Sequence, residues 1–284
     1  MNTMTSHSNQ ALNVIQVPAF QDNYLWIIHR ENNPLAYVVD PGDATPIIEA
    51  LAKHNLTLAG ILVTHHHPDH TAGIEGLLKT FNHRTVPVYG PDGGSVPSVT
   101  HPLHEGDSID LENGLMLKIF EVPGHTLDHI AYFYDPQSQS SSKQSTDKAE
   151  TPALFCGDTL FAAGCGRLFE GTPSQMHHSL SKYMAFPDDT LVYCAHEYTL
   201  ANLAFAVAVE PNNNVLSNRV TQEKAKREQH QSTIPTNIGL EKATNPFLRC
   251  HIPAVIKSAE QQEGKPLNSD EAVFGAVRKW KDGF

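Results

Sequence analysis

Apolar residues fall along the first two thirds of this chain in short runs separated by turn-forming residues. Asn13 to Val17, Tyr24 to His29 and Ala36 to Val39 have the β-branched and aromatic character of strands. The third run closes on Asp40-Pro41-Gly42, a strong turn signal. The segment 43–54 suits a helix, with Asp43 or Thr45 as its cap and Pro46 in its first turn. Gly60-Ile61-Leu62-Val63 predicts a buried strand, followed by a His-rich loop and a helix through about Lys79. Further strands are expected over 85–89, 115–121, 129–134, 153–156 and 190–194. Residues 136–151 are polar and of low complexity, and are expected to form a flexible surface insertion. After Tyr198 the character changes, and 200–209, 215–231 and 272–280 read as helices. The pattern predicts an α/β domain followed by a helical C-terminal segment, with no internal repeat.

Composition narrows the classes. The chain has 284 residues, 40% of them hydrophobic, enough for one large domain or two ordinary ones. A net charge of −11 excludes a broad nucleic-acid-binding face but permits a local basic pocket. Cys156, Cys165, Cys194 and Cys250 are scattered without a C-x-x-C pair, as reduced thiols are. The first ten residues are polar, so no signal peptide is expected, and no stretch has the length of a membrane span. A soluble, cytoplasmic monomer is the expectation.

The chemistry is concentrated in Thr64-His65-His66-His67-Pro68-Asp69-His70, directly after an expected strand. Open α/β sheets usually place their sites at strand carboxyl ends. In an extended segment His65 and His67 share a side and His66 points elsewhere. Two imidazoles suit one ion, and the adjacent Asp69 and His70 suit a second. A lone histidine is more often a core or surface residue, but this density is costly to bury without a cation. His125 follows a Pro-Gly turn, and Asp158 and His196 each follow an expected strand. Together these make seven candidate ligands, His65, His67, Asp69, His70, His125, Asp158 and His196, a number that suits two metal ions sharing a carboxylate.

The runs T-H-H-H-P-D-H, P-G-H-T, G-D-T-L-F and A-H-E-Y-T, in this order, resemble the metallo-β-lactamase superfamily. Within it the chain is similar to the glyoxalase II, or hydroxyacylglutathione hydrolase, family. That narrower resemblance rests on Gln21-Asp22-Asn23-Tyr24, on Val39 to Gly42, on Ala163 to Thr172, on His196 to Thr199 and on Asn245-Pro246-Phe247-Leu248-Arg249. It implies an αββα sandwich over 1–196 and a small helical glutathione-binding domain over 197–284. It also implies hydrolysis of S-(2-hydroxyacyl)glutathione, such as S-D-lactoylglutathione, to glutathione and D-lactate in methylglyoxal detoxification. The attacking group would be a hydroxide shared by two divalent ions, zinc first, with iron or manganese also suited to the ligands.

By the same resemblance His65, His67 and His125 hold one ion, Asp69, His70 and His196 the other, and Asp158 bridges them. Asp69 would also orient the hydroxide. Arg167, Tyr198 and Arg249 match glutathione-contacting positions. The chain departs from some members at Phe169, which lacks a hydroxyl, and at Ile252, which stands where a lysine is expected. The alternatives are a lactonase or β-lactamase, a persulfide dioxygenase, or a non-catalytic metal-binding scaffold. Activity on a lactone or β-lactam, oxygen uptake and metal content separate them.

Overall fold

The structure, a computed structural model, describes residues 11–82, 84–139 and 150–284. The early apolar runs form a six-stranded sheet. Its strands are β1 (Leu12–Ala19), β2 (Asn23–Arg30), β3 (Leu35–Val39), β4 (Thr57–Leu62), β5 (Val88–Pro91) and β6 (His101–Leu103), in that order. The first three are antiparallel, and β3 to β6 run parallel. Parallel neighbours need a crossover. Helix α1 (Ala44–Lys53) supplies it between β3 and β4, and α2 (Pro68–Thr71) with α3 (Ile74–Thr80) between β4 and β5. Asp43 caps α1, its Oδ1 accepting from the Thr45 N–H at 2.9 Å.

Strand β2 shows why the runs lack alternation. Every residue from Asn23 to Ile28 is buried. Tyr24, Trp26 and Ile28 enter the larger core, whereas Leu25 and Ile27 join Ile47, Leu51, Ile74 and Leu77 beneath α1 and α3. Successive side chains thus feed two cores, and both faces must be apolar.

The second six-stranded sheet begins with β7 (Ser108–Asp110), β8 (Met116–Glu121), β9 (Ile130–Tyr134) and β10 (Ala153–Gly157). A separate hairpin of β11 (Leu160–Phe161) and β12 (Gly164–Cys165) follows. Helix α4 (Pro173–Tyr183) then crosses to β13 (Leu191–Cys194), which lies parallel to β10. Helices α5 (Thr199–Val209) and α6 (Asn214–Glu228) lead to β14 (Thr236–Asn237), which pairs with β13. Helices α7 (Ile238–Thr244), α8 (Pro253–Glu263) and α9 (Asp270–Asp282) end the chain. The architecture is the expected αββα sandwich with a helical C-terminal segment. That segment is tied back to the second sheet by β14.

Most expected elements form, with shifted ends. The helix expected through Lys79 divides at Gly73 into α2 and α3, and the strand expected over 85–89 lies at Val88–Pro91. Helices α4, α7 and α8 were not expected. The start of α4 is nevertheless written locally: Thr172 and Gln175 form a capping box around Pro173. The four cysteines are free and buried. Residues 1–10, and 140–149 of the insertion expected over 136–151, lie outside the described residues. Within the rest of that insertion, Pro136–Gln139 forms a 3-10 turn and Glu150 pairs with Arg30 at 3.2 Å. No helix among the described residues is long and apolar enough to cross a membrane.

Candidate metal centre

Four strand ends converge. His65 and His67 follow β4 in extended chain, and Pro68 then starts α2, which carries Asp69 and His70 in one turn. His125 follows β8, Asp158 follows β10, and His196 follows β13. Gly157 sets Asp158 through a left-handed backbone, φ +49°. A Cβ there would meet Thr64 Oγ1 at 2.4 Å, so only glycine fits.

All seven expected ligands come together. The ligand atoms of His65, His67 and His125 lie within 4.8 Å of one another, as do those of Asp69, His70 and His196. Asp158 stands between the two groups. Its Oδ1 is 3.4 Å from His70 Nε2, and its Oδ2 is 3.4 Å from both His125 Nε2 and His196 Nε2. His66 turns aside, to Asp128 at 3.0 Å and Glu170 at 3.4 Å.

The donor set fits a cation. His65 Nε2, His70 Nε2 and Asp158 Oδ1 are buried without a hydrogen-bond partner. Each such group is costly unless something binds it. His67 Nδ1 faces His125 Nε2 at 3.0 Å, an approach that suits two lone pairs sharing a positive centre. These clusters are able to bind a dinuclear metal site.

Outer contacts fix the rings. Thr64 Oγ1 donates to Asp40 at 2.7 Å, so it accepts from His65 Nδ1 at 3.0 Å and leaves Nε2 inward. His70 Nδ1 meets Asp40 at 3.0 Å, His125 Nδ1 meets the Arg167 carbonyl at 2.8 Å, and His196 Nδ1 meets Asp22 at 2.9 Å. Sequence reading missed His129. Its ring stacks on His65 with centroids 4.6 Å apart, and its Nε2 accepts from the Asp158 N–H at 3.1 Å.

Electrostatics distinguish the two groups. Burial, helped by neighbouring imidazoles, lowers His65, His67 and His125. Burial takes His129 down to about 3. Burial also opposes charge on His70 and His196, but carboxylates overcome it. Asp158 and Asp40 hold His70 well above its usual value, and Asp158 with Asp69 raises His196 to about 10. Burial would raise Asp158, yet His70 and His196 hold it well below the carboxylate range.

The centre opens into a cavity of about 550 Å³. Phe161, Phe169 and Tyr198 form apolar wall, Tyr198 stacking on His196 at 4.7 Å. Its cations are Arg167, Arg278 and Lys281. Arg167 and Tyr198 both line this cavity.

Arg249 is a correction. It does not line the cavity. Its guanidinium grips Glu210 at 2.8 and 2.7 Å and donates to the Lys242 carbonyl at 3.0 Å. The buried Glu210 carboxylate needs a counterion, and Arg249 supplies it. Ile252 likewise packs against the core at the start of α8. The missed cations, Arg278 and Lys281, stand three residues apart on α9, a spacing that puts both on one helix face.

Residues 197–284 match the family model for the hydroxyacylglutathione hydrolase C-terminus, and 22–138 match that of the metallo-beta-lactamase superfamily. A hydroxyacylglutathione hydrolase of Alkalilimnicola ehrlichii is 50% identical over 270 residues, covering 95% of this chain and 98% of the relative. The chain belongs to the hydroxyacylglutathione hydrolase family. Another member, from Pseudomonas aeruginosa, is 48% identical over 269 residues, covering 94% of this chain and 98% of its own. Among solved structures, ETHE1 from Myxococcus xanthus superposes with a TM-score of 0.60 at 22% identity, over 95% of this chain and 98% of that one. BLEG-1, a B3 metallo-beta-lactamase, gives 0.58 at 23% identity, over 83% of this chain and 99% of that one. These two likenesses concern the fold alone. As a hydroxyacylglutathione hydrolase family member, the protein is a thioester hydrolase.

Proposed function

We propose that this protein hydrolyses the thioester of S-(2-hydroxyacyl)glutathione, releasing glutathione and a 2-hydroxy acid, with S-D-lactoylglutathione and D-lactate as the leading case. One observation carries the reading: the histidine and carboxylate centre opens directly into a cavity that Arg167 and Lys281 line. Glutathione has two carboxylates, and Arg167 and Lys281 are their natural partners, whereas the buried Arg278 guanidinium is held by Asp282 at 2.9 Å and by the Cys165 carbonyl at 3.0 Å.

His65, His67 and His125 would hold one ion, and Asp69, His70 and His196 the second, with Asp158 shared. Zinc suits this imidazole and carboxylate set first, and iron or manganese also suits it. Two divalent ions supply Lewis acidity toward a carbonyl oxygen and lower the pKa of water toward about 7. The chain's own residues do the rest. Asp69 would orient the attacking hydroxide. Phe161, Phe169 and Tyr198 pack around the thioester and keep bulk water away. The leaving thiolate is a weak base, so no side-chain acid is required.

We divide the chain into a metal domain over 1–196 and a glutathione-binding domain over 197–284. The family model matched from residue 197 supports that division. We place the protein in the cytoplasm, where its free cysteines stay reduced, and take it to act as a monomer. The test combines an assay and metal analysis on one purified sample. Thioester hydrolysis without oxygen uptake is expected at two metals per chain. No hydrolysis at full loading overturns the reading.

A further inference from the structure

Asp22, the last residue of the turn after β1, and Asn23, the first of β2, do not line the cavity. This turn belongs to the first sheet but is bound to the end of β13 in the second. Tyr24 N–H donates to the Ala195 carbonyl at 2.7 Å, and Glu197 N–H donates to the Asp22 carbonyl at 2.9 Å. Asn23 and His196 form an isolated antiparallel bridge.

Two side-chain contacts extend that seam into the centre. Asp22 Oδ1 lies 2.9 Å from His196 Nδ1, which leaves His196 Nε2 facing inward. Asn23 Nδ2 donates to Asp69 Oδ2 at 3.0 Å. Asp69 is the least buried carboxylate of the centre, its side chain 39% exposed against 9% for Asp158. A carboxylate so open to water has rotamers to lose on capturing a cation. The buried Asn23 amide removes part of that freedom beforehand. The other group of ligands is held differently, His65 by Thr64 and His125 by the Arg167 carbonyl.

We propose that Asp22 and Asn23 are positioning residues that set the occupancy of the Asp69–His70–His196 subsite and leave the His65–His67–His125 subsite unaffected. The inference rests on the two-metal reading above. Loss of either side chain turns a two-ion protein into a one-ion protein over a window of free metal concentration.

The test uses the full chain, stripped with a chelator and reloaded at buffered free zinc. Metals per chain are counted by mass spectrometry, and the two dissociation constants are read by competition with a chromophoric chelator. Asn23→Ala and Asp22→Ala are expected to weaken one constant by about 10–100-fold and leave the other unchanged. Asp22→Asn, nearly isosteric, keeps an acceptor for His196 and is expected to restore part of the loss. On an Asp69→Ala background, Asn23→Ala is expected to cost nothing further. Both constants shifting together, neither shifting, or an undiminished Asn23→Ala effect on that background overturns the proposal. A wild type that binds fewer than two ions overturns the metal reading itself. A wild type that binds two, with variants identical to it, overturns only the role of the turn.

Discussion

Arg249 and Glu210 form a bidentate ion pair, Nε to Oε2 at 2.8 Å and Nη2 to Oε1 at 2.7 Å. The guanidinium is therefore committed to the helical segment and is absent from the cavity. Arg249→Ala is expected to cost stability, by about 3–5 kcal/mol, because it strands a buried carboxylate. It is expected to leave KM unchanged. Urea unfolding and steady-state kinetics on the same preparation check both halves. A large KM rise with normal stability would return Arg249 to the substrate site.

Lys281 has the opposite profile. It lines the cavity and packs over Phe205 and Phe284, with its ammonium donating to the Ala201 carbonyl at 3.2 Å. Lys281→Ala is expected to raise KM about tenfold, about 1.4 kcal/mol of binding, with little change in kcat. The wild-type KM is expected to rise with ionic strength, and less so in the variant. Salt-independent KM values in both proteins would rule out a carboxylate contact.

Asp158 touches both groups of ligands, so its removal is expected to affect both ions. Asp158→Ala is expected to carry fewer than two metals per chain. Its activity is expected to fall by more than the roughly 10–100-fold cost of losing an outer contact. Elemental analysis beside the thioester assay reads this. Two retained metals with full activity would remove Asp158 from its bridging place.

Proton release is expected to differ between the two subsites. Without metal, Asp158 and Asp69 raise His196 to about 10, which makes it imidazolium at pH 7.5, and Asp158 and Asp40 hold His70 well above its usual value. His65, His67 and His125 are lowered and already neutral there. Loading the second subsite must displace protons, and loading the first need not. Affinity at the second subsite is therefore expected to rise with pH across the neutral range, by about tenfold per unit for each proton displaced. Calorimetric titration of the stripped protein in buffers of different ionisation heat counts those protons. Identical heats in all buffers would contradict the assignment.

Much of the site was legible in the primary structure because its ligands are local signals at strand ends. His65, His67, Asp69 and His70 share one turn of chain, and the order of runs supplied His125, Asp158 and His196. His129 gave no such signal. A histidine that neither ligates nor faces solvent is recognised only by its stacking on His65 and its bond to the Asp158 N–H. Helix α4 was legible in principle, since its capping box is contiguous.

By itself the sequence carried the α/β pattern and seven candidate ligands, because burial on two faces of a strand and donor spacing around a turn are short-range signals, and its motifs resembled a family whose fold is the sandwich. Tertiary structure decided which cations line the cavity. Arg249, Arg278 and Lys281 are alike as residues, and their roles depend on what reaches them through space. Glu210, 39 positions away in the chain, claims Arg249. Helix α9 brings Arg278 and Lys281 beside Arg167 at the cavity wall. Charge is a property of the residue, but its use is set by the nearest opposite charge and by access to solvent, which only the folded chain defines.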